Sequence, residues 1–144
     1  MRDILFRGKT VGTNGKFVYG NLIYVEGYCC ILERKEDLHP MDEPYLDGEI
    51  GWIDGKATPV HPETVGQFTG LHDKNGKMIF EGDICKTDLK WGSLLQIIFN
   101  NYCATFQVLF DDGYSEDFRQ LYSDVRHIEV IGNIHDNPEL MEAR

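Results

Sequence analysis

The stretch TVGQFTGLHDKNGKMIFEGDICKT, from Thr64 to Thr87, decides how this chain is read. Two β-like runs, residues 67–71 and 78–80, flank Asp73-Lys74-Asn75-Gly76-Lys77. Asn-Gly between such runs is a hairpin signal: with both turn residues at positive φ, the turn's twist matches that of the strands. Glu81-Gly82-Asp83 then places a glycine where the chain must bend before Ile84 enters the next strand. Backbone chemistry thus accounts for Asn75, Gly76 and Gly82. The signature residues Gly70, Asp73, Asn75, Gly76, Glu81, Gly82 and Asp83 read as structural turn residues.

The rest of the chain extends the β pattern. Residues 4–7, 16–19, 22–25 and 28–33 predict an N-terminal meander, with turns at Gly20-Asn21 and Glu26-Gly27. Residues 33–54 then change texture: Glu33, Glu36, Asp37, Asp42, Glu43, Asp47, Glu49 and Asp54 stand against Arg34 and Lys35 alone. With Pro40 and Pro44 among them, they read as an acidic surface loop containing a short strand at 50–53. Pro59 and Pro62 mark a rigid linker over 59–66. The expected organisation is an N-terminal β meander over 1–58, the linker, and a C-terminal β module over 67–144. In the C-terminal module, residues 84–87, 94–99, 104–110 and 128–131 predict further strands, and Asp111-Asp112-Gly113 predicts a turn. Residues 115–122 fit a helix capped by Ser115 or another strand. Asn137-Pro138-Glu139-Leu140 predicts a short C-terminal helix, with proline at its first position. The fold class is mainly β, with barrel-like closure of the C-terminal module as one form.

Bulk properties narrow the function. The 144 residues carry a net charge of −10, which repels phosphate backbones and anionic lipid surfaces. Nucleic acid and membrane are therefore disfavoured as partners. The chain start lacks the long apolar stretch of a signal peptide, and no apolar run reaches membrane-spanning length. Cys29, Cys30, Cys85 and Cys103 show no CxxC spacing, which favours free thiols and a cytoplasmic setting.

Catalytic and metal patterns are tested residue by residue. The oxygens of Asp73, Asn75, Glu81 and Asp83 suit a hard cation, but an EF-hand needs Gly at position 6 and an oxygen ligand at position 5. Counted from Asp73, this loop has Gly at position 4 and Lys77 at position 5, so it fails. His39, His61, His72, His127 and His135 form no close Cys/His pairing of the kind zinc sites use. Ser93, Ser115 and Ser123 sit in no nucleophile turn, and no Gly-rich loop precedes a helix. The sequence therefore assigns no catalytic residue, no metal ligand and no cofactor. Asp111, Asp112, Glu116 and Asp117 read as a solvated turn. Trp52 and Trp91 are candidate protein contacts, since Trp is over-represented at interface hot spots.

Three blocks, taken in order, resemble the YopX family, small proteins encoded by bacteriophages and prophages. The opening is Arg2-Asp3-Ile4-Leu5-Phe6-Arg7. The centre is Gln67-Phe68-Thr69-Gly70-Leu71-His72-Asp73-Lys74-Asn75-Gly76-Lys77, with Ile79, Glu81-Gly82-Asp83 and Ile84. The end is Val130-Ile131-Gly132-Asn133-Ile134-His135-Asp136-Asn137-Pro138-Glu139-Leu140. The resemblance implies a phage-associated, cytosolic, mostly β protein that self-associates; it implies no reaction and carries over no catalytic residue. The resulting expectation is a non-enzymatic accessory protein that binds a host or phage protein or forms a homo-oligomer. The alternatives are a small-ligand or metal-binding protein using the Asp73–Asp83 region, and a structural particle component.

Overall fold

A computed structural model describes residues 3–12, 15–33, 57–88, 94–117 and 127–142. The described chain is mainly β, built from antiparallel strands in two sheets, with one short helix near the C-terminus. It divides into two compact units, Asp3–Gln67 and Phe68–Arg144.

In the first unit, β1 (Phe6–Lys9), β2 (Phe17–Val25), β3 (Tyr28–Glu33) and β4 (Ala57–Pro59) pair in the order β4-β3-β2-β1. The β2–β3 hairpin turns at Glu26 (φ 50°) and Gly27 (φ 84°), the two positive φ values that a two-residue turn requires. Gly20-Asn21 is not a turn, contrary to expectation: β2 runs straight through it. A Cβ on Gly20 would lie 2.0 Å from the Leu32 carbonyl oxygen, so the glycine serves a close backbone approach instead. Val18, Cys29, Ile31 and Val60 form the core, with Phe6, Leu22 and Val65 packed against it. Residues 59–66 hold the end of β4, buried Val60, a 3-10 turn at Pro62–Thr64 and the start of β5 (Gly66–His72). Thr64 is buried; its hydroxyl donates to the His61 carbonyl (2.6 Å) and accepts from the Lys9 N–H (2.9 Å).

The second unit contains most of β5, then β6 (Met78–Phe80), β7 (Asp83–Thr87), β8 (Leu94–Asn100), β9 (Thr105–Phe110), β10 (Ser115–Asp117), β11 (Ile128–Asn133) and α1 (Glu139–Glu142). The last five strands form a sheet in the order β10-β9-β8-β7-β11. That sheet stays open among the described strands, so the barrel-like form is not reached: β10 and β11 lie at its two edges. Ser115–Asp117 forms a strand, the second of the two forms the sequence allowed, while residues 118–122 of that segment lie outside the described residues. Alternating side chains build the core. Leu95 and Ile97 from β8 meet Val108 and Phe110 from β9, with Ile79, Cys85 and Ile128 completing the cluster. No described helix is long and apolar enough to cross a membrane.

Candidate functional site

The signature hairpin is organised by one carboxylate. Asp73 is only 6% exposed. Its Oδ1 accepts from the N–H groups of Asn75 (2.8 Å) and Lys77 (2.9 Å). Its Oδ2 accepts from the Val130 N–H on β11 (3.0 Å). The backbone closes the same loop: the Asp73 N–H donates to the Lys77 carbonyl (2.8 Å), and the Gly76 N–H to the Asp73 carbonyl (3.0 Å). Next to it, the Lys74 N–H donates to the Ile128 carbonyl (3.0 Å), a second tie to β11. Burial raises the Asp73 pKa, but hydrogen bonds from Val130, Lys77 and Asn75 outweigh it and hold the carboxyl below its ordinary value.

The turn differs from the one expected. Gly76 has positive φ (83°), but Asn75 is not among the positive-φ residues. Asp at the first position with Gly at the fourth, joined by a backbone bond, is the pattern of a type I turn. The driver is Asp73, whose side chain satisfies two backbone donors that an Asn-Gly turn would leave to the strands.

Gly70, Gly82 and Asp83 also serve the backbone. Gly70 (φ 90°) sits in a register shift where four-residue spacing on β5 faces two-residue spacing on β6: Phe68 pairs with Phe80 and His72 with Met78. The Thr69 hydroxyl donates to the Ile79 carbonyl across this shift (2.8 Å). Gly82 (φ 92°) donates its N–H to the Ile97 carbonyl (2.8 Å) and accepts from the Ile134 N–H (2.9 Å). Asp83 is 1% exposed, and its Oδ2 accepts from the Phe80 N–H (2.8 Å). Glu81 is half-buried and Asn75 exposed.

The third block behaves alike. The Asn133 Oδ1 accepts from the N–H groups of His135 (3.0 Å) and Asp136 (2.9 Å). Asn137, expected to cap the helix, turns its Oδ1 back to the Asn133 N–H instead (3.3 Å). A Cβ on Gly132 would lie 2.5 Å from that same oxygen, so glycine leaves room for the Asn137 side chain.

Among the described residues, no group of three or more His, Cys, Asp or Glu is placed to hold a metal ion. His72 packs edge-on against Phe68, with ring centres 5.5 Å apart. Cys29, Cys30 and Cys85 are buried and Cys103 is exposed; all four are free thiols. Burial first, then the neighbouring Cys30, push the Cys29 thiol up, away from the thiolate that a nucleophile needs. Trp52 and Trp91 lie outside the described residues, as do residues 34–54 of the acidic loop.

Two features were not singled out from sequence. Lys74 and Lys86 both reach Glu129 Oε2, at 3.4 and 3.3 Å, beside a 130 Å³ cleft that also contacts His127 and Asp88. The Lys86 hydrogen bond, chief among several contacts, lowers the Glu129 pKa. Glu129 and Lys86 face each other directly on β11 and β7, so the signal was a cross-strand charge pair, legible only once that pairing is known. In the first unit, Val11, Tyr28, Cys29, Pro59, Val60 and Pro62 line an apolar groove of about 490 Å³.

Comparison with known proteins matches this description. The crystal structure of protein EF1440 from Enterococcus faecalis is similar over 98% of this chain and 99% of that one, at 25% identity and a TM-score of 0.55. No curated protein is similar to the chain. A family model described as YopX protein matches residues 15–142, most of the sequence. The chain is a member of the YopX protein family.

Proposed function

We propose that this protein is a non-enzymatic phage or prophage accessory protein that works in the cytoplasm by binding other proteins, including further copies of itself. One observation carries the reading: the most patterned carboxylate, Asp73, is occupied by three N–H groups of its own chain. A carboxylate committed in that way has little capacity left for a substrate or a cation. The net charge of −10 favours partners with basic surfaces over phosphate backbones or anionic lipids. A face on which carboxylates stand where DNA has phosphates is the sharper form of this reading. The phage setting rests on the family resemblance, and the cytoplasm on the free thiols.

The test is capture of bacterial lysate proteins on the tagged protein, with nuclease added and elution over a salt series. One host protein recovered in near-equal amount and released by salt supports the reading. Recovery of further copies alone leaves a structural oligomer in its place.

A further inference from the structure

The tip of the β8–β9 hairpin combines exposure, local bracing and absence of charge. Tyr102 is 101% exposed, so no described residue of its own chain covers the ring. The loop beneath it is held by its own contacts. The Asn100 Oδ1 accepts from the Tyr102 N–H (2.9 Å) and the Cys103 N–H (3.3 Å), and the Asn100 amide donates to Gln107 Oε1 (3.1 Å). Ala104 follows at φ 52°, a left-handed conformation that a residue with a Cβ rarely adopts. Below the tip, Phe99 (37% exposed) and Phe106 pack edge to face with ring centres 5.2 Å apart. Three aromatic rings thus occur along one hairpin end.

Residues 94–110 contain no Asp, Glu, Lys or Arg, in a chain whose composition is 26% charged. Core packing explains this for the inward positions of β8 and β9, but not for the exposed tip. The chain carries −10, so two copies repel wherever acidic surface faces acidic surface. A symmetric contact must be self-complementary. An aromatic ring beside the exposed Asn101 amide meets that condition, because an amide both donates and accepts and no like charges are brought together. A pre-braced aromatic also loses little conformational freedom on docking.

We propose that the β8–β9 hairpin tip is the contact between two copies of this chain, with Tyr102 as its anchor. The inference rests on the self-association proposed above and names the surface that performs it. Tyr102 supplies the buried centre, and Phe99, lower on the hairpin, adds exposed apolar surface, while Phe106 packs against the core of its own unit.

The experiment measures mass by sedimentation over a concentration series for the wild type, Tyr102→Glu, Tyr102→Ser and a control, Tyr24→Glu. Tyr24 is also an exposed tyrosine, but in the first unit. The expected result is wild-type association above the 16.6 kDa monomer. Tyr102→Glu and Tyr102→Ser should weaken it at least about thirtyfold, as loss of a hot spot does, and Tyr24→Glu should not. A short bismaleimide gives a second reading, because Cys103 is the one exposed cysteine of the four. It should join two chains in the wild type and fail to do so in Cys103→Ser. If the wild type associates and the Tyr102 variants associate equally well, the hairpin assignment falls while self-association stands. A wild type that stays monomeric at every concentration overturns both. A monomer whose Tyr102 variants instead lose capture of a host protein assigns the tip to that partner and overturns the proposal as stated.

Discussion

The β5–β6 and β8–β9 hairpins solve the same problem in opposite ways. Both use one Asx side chain to satisfy backbone donors in the turn. Asp73 is buried, charged and tied to a strand 57 residues away. Asn100 is neutral and, among the described residues, reaches only its own loop and Gln107. The first turn lies against its unit, whereas the second presents a bare tyrosine to solvent. The patterned hairpin is therefore the internal fastener, and the unremarked one holds the available surface. A recurrent motif can mark what the fold needs most rather than where chemistry happens.

The largest effect that tests this contrast is Asp73→Ala. It strands the N–H groups of Asn75, Lys77 and Val130 and should cost about 3 kcal/mol in urea unfolding, within the range for lost hydrogen bonds to a charged group. Asn100→Ala should cost less than about 1 kcal/mol, since water can reach the exposed donors. Equal costs would erase the distinction between the two hairpins.

Acid extends the test. The folded Asp73 pKa lies below its ordinary value, so its contribution is complete above the unfolded pKa of about 4. That contribution is lost as pH falls from there through the folded pKa. Asp73→Asn should flatten this part of the stability–pH curve, and an unchanged slope would assign the acid sensitivity elsewhere.

Two backbone substitutions should move in opposite directions. Gly76→Ala places a Cβ at φ 83° and should destabilise by about 1 kcal/mol. Ala104→Gly removes one at φ 52° and should stabilise by a few tenths to about 1 kcal/mol, the relief of strain offset by unfolded-chain entropy. Thermal melts of the pair decide it, and loss of stability in both would mean Ala104 is held by more than its own loop.

Glu129→Gln should have a smaller effect that shrinks further in high salt, because Lys74 and Lys86 are both largely exposed. Smallest of all, Tyr102→Ala should leave unfolding within about 0.5 kcal/mol of wild type. A larger loss would show the ring packing on its own chain.

The sequence makes most strands legible because their alternation is local. It also locates the 73–77 turn and a short C-terminal helix, although that helix begins at Glu139 and is not capped by the Asn137 side chain. Gly20 misleads, because its role depends on the Leu32 carbonyl across a strand pair, and a glycine in a strand looks locally like a glycine in a turn. Asn75-Gly76 misleads more subtly: the dipeptide fits one turn type, but the preceding carboxylate selects another. At the site, the positive φ of Gly76 and Gly82 follows from backbone rules, whereas Asn75 is expected at positive φ and does not adopt it. The bond from Asp73 to Val130 does not follow from such rules, since no local pattern records a partner across the five intervening strands β6 to β10. The Lys74–Glu129–Lys86 contact was hidden for the same reason.

The two oxygens of Asp73 also separate two steps in time. Oδ1 serves a loop of a few residues, which closes on the submicrosecond scale. Oδ2 must wait for a strand far along the chain, and long-range closure is the slow part of assembling β topologies. In hydrogen exchange, the Asn75 and Lys77 amides therefore report opening of the turn alone, and the Val130 amide reports the docking of β11. One side chain thus joins two levels of opening, and the difference in protection between them measures how far the turn outlasts the undocking of β11.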